Sequence, residues 1–95
     1  MLKSLEELVS IIRDRKNSSS EKSYTKKLLN NKKMNVEKVN EEVKELIEAI
    51  QNKNNQVHEA ADVLYHLMVL LEGNEIKIED VMQELKKRQN GIRQK

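Results

Sequence analysis

No proline interrupts this chain, and only two glycines do, in 95 residues. A β-sandwich or barrel needs a turn every few residues, and turns draw on Gly and Pro. Punctuation this sparse leaves long uninterrupted helices as the way to fill the sequence, and the spacing of apolar residues agrees. The expected fold is an all-α, antiparallel bundle of about four helices. At this length it forms one domain over residues 1–95, with a frayed tail from about 90 to 95.

The first helix is expected to begin near Ser4, with Glu7 at capping-box spacing and an apolar stripe of Leu5, Leu8, Val9, Ile11 and Ile12. Asn17-Ser18-Ser19-Ser20 reads as a polar loop. Ser23 then stands where it can cap a short helix through Tyr24, Leu28 and Leu29, and Asn30-Asn31-Lys32-Lys33 reads as a second break. A long helix follows from about Val36 to Ile50, with Val36, Val39, Val43, Leu46, Ile47 and Ile50 on one inward face. Asn52-Lys53-Asn54-Asn55 ends it. The next helix runs from about Val57 to Leu71, and Gly73 is expected to take the left-handed conformation that closes it. The last covers about Ile78 to Gln89, with Val81, Met82 and Leu85 inward and only Lys77 where a capping residue would stand.

The helix from Val57 to Leu71 differs from the others. Apolar residues surround it on nearly all sides, so it must be buried on nearly all sides. A chain of this size has little material for that. The burial therefore implies a homo-oligomer, most simply a homodimer, with this helix near the interface.

Composition removes several functions. With no cysteine there is no disulfide, thiolate metal site, Fe–S cluster or thiol nucleophile, and any metal must sit on oxygen or imidazole. The longest apolar run, Leu67 to Leu71, is too short to span a bilayer, and the N-terminus lacks the apolar core of a signal peptide, so a soluble cytoplasmic protein is expected. The net charge is only +2, its signs are mixed, and base-stacking aromatics are nearly absent, which argues against nucleic acid. Lys and Arg gather between residues 13 and 33, and Glu between 37 and 48. That arrangement suits a phosphorylated ligand held through a cation, although it also occurs in proteins without one.

Three polar residues on the apolar helix, Glu59, Asp62 and His66, fall within about a 60° arc at helical spacing. Carboxylates on such a face are costly unless paired or bound to metal. A Lys or Arg from another helix is one answer. The preceding helix offers another. From the centre of its apolar stripe, Glu42 lies about 80° away and Glu45 about 140°, while Glu41 and Glu48 lie about 160–180° away and face outward. When the hairpin folds about Lys53-Asn54, Glu42, Glu45, Glu59 and Asp62 come to within about one helical turn, ~5 Å, of a common level. Four carboxylates there require a cation. Oxygen donors without thiols select Mg²⁺, with Mn²⁺ able to substitute. Mg²⁺ retains waters and meets phosphate oxygens, which suggests a di- or triphosphate substrate attacked by metal-activated water. Lys27 and Lys38 are of the type that would offset phosphate charge, although Lys is abundant here and either can simply be solvated. His66 could hydrogen-bond a ligating carboxylate, contact substrate or be a satisfied core histidine, and the last reading is favoured.

At these residues the chain resembles a known family. Glu41-Glu42-x-x-Glu45 followed by Glu59-x-x-Asp62 is similar to the paired-carboxylate signature of the all-α, MazG-like nucleotide pyrophosphohydrolases. The likeness is closer to the phosphoribosyl-ATP pyrophosphohydrolases of histidine biosynthesis. It runs through Ser23-Tyr24-Thr25-Lys26-Lys27-Leu28, Lys38-Val39-Asn40-Glu41-Glu42, His58 to Leu67, and Ile78-Glu79-Asp80-Val81 through Arg88, over about residues 5 to 89. The resemblance implies Mg²⁺-dependent hydrolysis of phosphoribosyl-ATP to phosphoribosyl-AMP and pyrophosphate by a homodimer. It implies Glu42, Glu45, Glu59 and Asp62 as metal ligands, Glu41 as an accessory carboxylate, and Ser23 and Lys27 as substrate contacts. The family's Gly before the paired glutamates is Asn40 here, and the stretch from Asn30 to Val36 aligns poorly. Two other readings remain: a MazG-like nucleotide-housecleaning pyrophosphohydrolase with the same metal site, and a non-enzymatic helical dimerisation module whose acidic cluster is structural.

Overall fold

The computed structural model describes residues 2–18 and 23–93, with side chains as far as Gln89; Ser19 and Ser20 of the predicted loop, and Gln94 and Lys95 of the predicted tail, lie outside the described residues. The described residues form helices α1 (Lys3–Lys16), α2 (Tyr24–Asn30), α3 (Lys32–Asn52), α4 (Gln56–Gly73) and α5 (Ile78–Arg93), with no strand among them. There are thus five helices rather than about four, and the last continues into the predicted tail as far as Arg93.

The short helix expected after Ser23 is present as α2, and two residues punctuate it. Ser23 caps α2, its Oγ accepting the Lys26 N–H at 3.3 Å. Asn31 ends α2 and at once caps α3, its Oδ1 accepting the Met34 N–H at 3.1 Å. One asparagine therefore does what four residues were expected to do, and α3 starts at Lys32 instead of Val36. At the other end, Asn54 N–H reaches Ala49 O at 3.0 Å, and Lys53 and Asn55 adopt left-handed conformations with φ of 52° and 60°. This closure returns α4 antiparallel beside α3.

Helix α4 touches all four other helices. The core it organises is small: Val9 and Ile12 from α1, Leu28 from α2, and Met68 and Val69 from α4, ringed by residues that include Leu5, Leu29 and Ile78. Gly73 is the last residue of α4 and has no positive φ; the left-handed residue is Glu75, with φ of 61°. The glycine instead allows close packing, since a Cβ there would lie 3.3 Å from Leu29 Cδ2.

Three further expectations change. Leu2, not Ser4, stands at the N-cap of α1, and no side chain caps it. On α5, Met82 and Leu85 are about half exposed and Val81 is half-buried, while Ile78 is the residue that packs on the core. The α3 stripe is only partly covered: Val36, Val43, Ile47 and Ile50 stay exposed, as do Val57 and Leu64 of α4. The chain's own helices do not enclose α4 on every side. Among the described residues, no helix is long and apolar enough to cross a membrane.

Candidate active site

Helix α3 carries Glu42 and Glu45 one turn apart, and α4 opens with Glu59 in its first turn. The antiparallel hairpin brings them together, with one carboxylate oxygen of each within 4.8 Å of the other two. Glu59 also belongs to a second group of the same tightness with His58 and Asp62. Asp62 leans toward His58, with Oδ2 3.3 Å from Nε2. Glu59 thus joins the three-glutamate group to the Asp62 side.

Glu42 is 8% exposed. Its Oε2 and that of Glu59 are buried without a hydrogen-bond partner. Burial raises the pKa of Glu42, and the charge and hydrogen bond of Glu45 and the charge of Asp62 raise it further, against a smaller opposing pull from His66. Glu59 is raised as well, first by desolvation and then by the adjoining Glu45 carboxylate and the Asp62 charge, with His58 opposing. Among the described residues, no Lys or Arg forms an ion pair with any of these four carboxylates; the ion pairs nearest in sequence are Lys38–Glu41 and His58–Asp62. The structural alternative, a neutralising Lys or Arg from another helix, finds no such ion pair among the described residues. One buried and three partly buried carboxylates that repel one another, with two orphaned oxygens among them, are donors that could hold a hard divalent cation such as Mg²⁺.

The wall beside this cluster is built on His66, which is buried and fully partnered. Its Nδ1–H donates to the Asp62 carbonyl at 2.7 Å, which leaves Nε2 to accept the Tyr24 O–H at 3.0 Å in the neutral ring. The His66 carbonyl accepts from Asn35 Nδ2 at 3.2 Å. Helices α2, α3 and α4 are therefore pinned together at one residue. Tyr65 adds a hydrogen bond to Thr25. Sequence reading missed Tyr24 and Asn35 here, because their partner lies 42 and 31 residues away and no local spacing announces it.

The remaining expected site residues lie outside this wall. Glu41 is exposed and pairs with half-exposed Lys38 at 3.5 Å. Glu41, and then the Tyr24 hydroxyl, raise the Lys38 pKa. Ser23 is the α2 cap, and Lys27 is exposed on α2.

The family model for phosphoribosyl-ATP pyrophosphohydrolase matches residues 5–89. The chain belongs to this family. It is 39% identical over 94 residues to the phosphoribosyl-ATP pyrophosphatase of Methanosarcina barkeri, covering 94% of this chain and 90% of that one. The Haloarcula marismortui protein of the same name is 42% identical over 89 residues, covering 88% and 91%. That of Clostridium novyi is 40% identical over 91 residues, covering 93% and 83%. Membership in the phosphoribosyl-ATP pyrophosphohydrolase family makes the chain an enzyme and removes the reading of a bare dimerisation module.

Proposed function

We propose that this chain hydrolyses phosphoribosyl-ATP to phosphoribosyl-AMP and pyrophosphate, in histidine biosynthesis in the cytoplasm, with Mg²⁺ held by Glu42, Glu45, Glu59 and Asp62 and Mn²⁺ able to substitute. One observation carries the metal assignment: two carboxylate oxygens, Glu42 Oε2 and Glu59 Oε2, are buried without partners among acids that repel one another. When bound, the ion would neutralise phosphate charge and lower the pKa of water at the site.

The chain's own groups divide the remaining work. Glu41 stands outside the ligand set as a carboxylate able to accept a hydrogen bond from the attacking water. Lys38 and Lys27 offer ammonium groups to phosphate oxygens. The Ser23 hydroxyl accepts the Lys26 N–H and keeps its own proton to donate to the substrate. Cleavage breaks the bond between the α- and β-phosphoryl groups, water adds across it, and pyrophosphate leaves. A second copy of the chain covers Val36, Val43, Ile47, Ile50, Val57 and Leu64, apolar residues that one chain leaves exposed.

Incubation with phosphoribosyl-ATP, and separately with ordinary nucleoside triphosphates, tests the reading through released pyrophosphate. Release from phosphoribosyl-ATP alone, lost in EDTA, is expected. Equal release from ordinary triphosphates would favour the housecleaning reading, and EDTA-resistant turnover would contradict the metal.

A further inference from the structure

The chain has two aromatic residues, Tyr24 and Tyr65, in a sequence without Phe or Trp. They meet around His66, although they are 41 positions apart. Their rings stack with centroids 6.2 Å apart at 19°, and each meets the His66 ring edge-on, at 5.8 and 5.0 Å. Tyr65 is partly buried and packs against the core. Tyr24 is not: it is 44% exposed, in a protein with very little aromatic surface to place.

That exposure goes with a fixed orientation. The Tyr24 hydroxyl is anchored on buried His66, so the ring is held at its polar end while much of its surface stays in solvent. His66 in turn donates to the Asp62 carbonyl at 2.7 Å, so one residue links the Tyr24 hydroxyl to a proposed metal ligand. The carboxylates and lysines account for the phosphates of a nucleotide and leave its flat base without a partner. A ring held in place with part of its surface open to solvent is what a base requires.

We infer that Tyr24 is the surface on which the purine of the substrate stacks, with His66 fixing the ring beside the carboxylates. The inference rests on the function proposed above and adds to it a residue for base recognition. Stacking of a base on an aromatic ring corresponds to about 5- to 150-fold in affinity.

The absence of tryptophan makes a direct optical test possible. Tyr65→Phe leaves Tyr24 as the sole emitter, and Tyr24→Phe leaves Tyr65. Each is titrated with phosphoribosyl-AMP in saturating Mg²⁺, so that absorption by the nucleotide affects both alike. Tyr24 emission should fall by about half or more beyond the change seen for Tyr65, and pyrophosphate, which has no ring, should not reproduce this. In steady state, Tyr24→Leu should raise KM for phosphoribosyl-ATP about 10-fold or more with a much smaller change in kcat. Tyr24→Phe keeps the ring and should restore KM to within about threefold. Equal quenching of both emitters, or Tyr24 emission that follows protein concentration as it would if a second copy covered the ring, overturns the inference; so does an unchanged KM in Tyr24→Leu. If wild-type protein releases no pyrophosphate, it is the proposed function that fails instead.

Discussion

Two acidic clusters flank helix α4, and they have opposite electrostatics. Glu72, near its C-terminal end, is 5% exposed, about as buried as Glu42. Arg13 grips it with two parallel hydrogen bonds of 2.9 Å, from Nε to Oε1 and from Nη2 to Oε2. The same guanidinium holds Glu79 of α5 at 2.6 and 3.0 Å, and Lys16 Nζ reaches the Glu72 carbonyl at 2.8 Å and Glu75 at 3.2 Å. Arg13 drives the Glu72 pKa down and carries that of Glu79 to about 2. At the other end, burial and neighbouring acids push Glu42 and Glu59 up. Residue type and burial are shared; the cation is not. A chain with 18 Lys and Arg sets none of them in an ion pair with Glu42, Glu45, Glu59 or Asp62 among the described residues. One cluster is neutralised from within and works as a structural clamp on α1, α4 and α5. The other retains its repulsion, the condition of a site completed from outside.

The largest expected difference is in turnover. Glu45→Gln and Asp62→Asn should each lower kcat at least about 100-fold, since even groups one step removed from a metal cost 10- to 100-fold. Far-ultraviolet circular dichroism should show the helices intact. Glu72→Gln should leave kcat nearly unchanged, and full activity in Glu45→Gln would erase the distinction between the clusters.

Stability should show the reverse pattern. Glu72→Gln breaks a part-buried pair, with Glu72 buried and Arg13 partly exposed, and should cost about 1–3 kcal/mol, or roughly 5–15 °C in Tm. Glu42→Gln, melted in EDTA, relieves repulsion and should raise Tm by a few degrees. If both substitutions destabilise equally, the carboxylates near Glu42 have a structural partner after all.

The pH dependence separates the clusters more finely. Glu72 and Glu79 have lowered folded values, so their contribution is complete above the ordinary carboxylate range and is lost as pH falls from there through the lower folded values. Glu42 and Glu59 have raised values, so the folded form binds their protons more tightly than the unfolded chain does. Metal-free protein should therefore gain stability as pH drops from neutral toward the ordinary carboxylate value. Glu42→Gln should reduce that gain, and Glu72→Gln should reduce the loss at lower pH. Melts across this range in EDTA read both. The smallest effect concerns Ser23. Loss of its cap in Ser23→Ala should cost about 0.5–1 kcal/mol of stability, and a KM that rises as well would add a substrate contact to its structural role.

The sequence announced the carboxylate hairpin because its geometry is local. Two runs of helical spacing and one asparagine-rich turn are enough to predict that Glu42, Glu45, Glu59 and Asp62 converge; the first three form one group, and Asp62 joins it only through Glu59, in a second group with His58. It was silent on the clamp, because Arg13 and Glu72 are 59 residues apart and look like any surface charges. His66 fell between these cases. Its buried character followed from the apolar helix around it, but its Tyr24 and Asn35 partners depend on how α2 and α3 dock. The misread ends have local causes. Asn31 is one cap serving two helices, Leu2 displaced Ser4, and Gly73 answers to Leu29 rather than to a turn. The inward faces expected of α3 and α5 were overestimated because periodicity marks an apolar stripe without saying how much of it one chain can cover.

The most direct measurement is the thermal melt of wild type, Glu72→Gln and Glu45→Gln, each with millimolar Mg²⁺ and with EDTA. A ligand that binds only the folded form at about 100 times its Kd adds about 2.7 kcal/mol. Wild type and Glu72→Gln should both gain on the order of 10 °C, and Glu45→Gln should gain little. Identical wild-type curves with Mg²⁺ and EDTA, or a shift that survives in Glu45→Gln, would contradict a divalent ion held by the α3–α4 carboxylates.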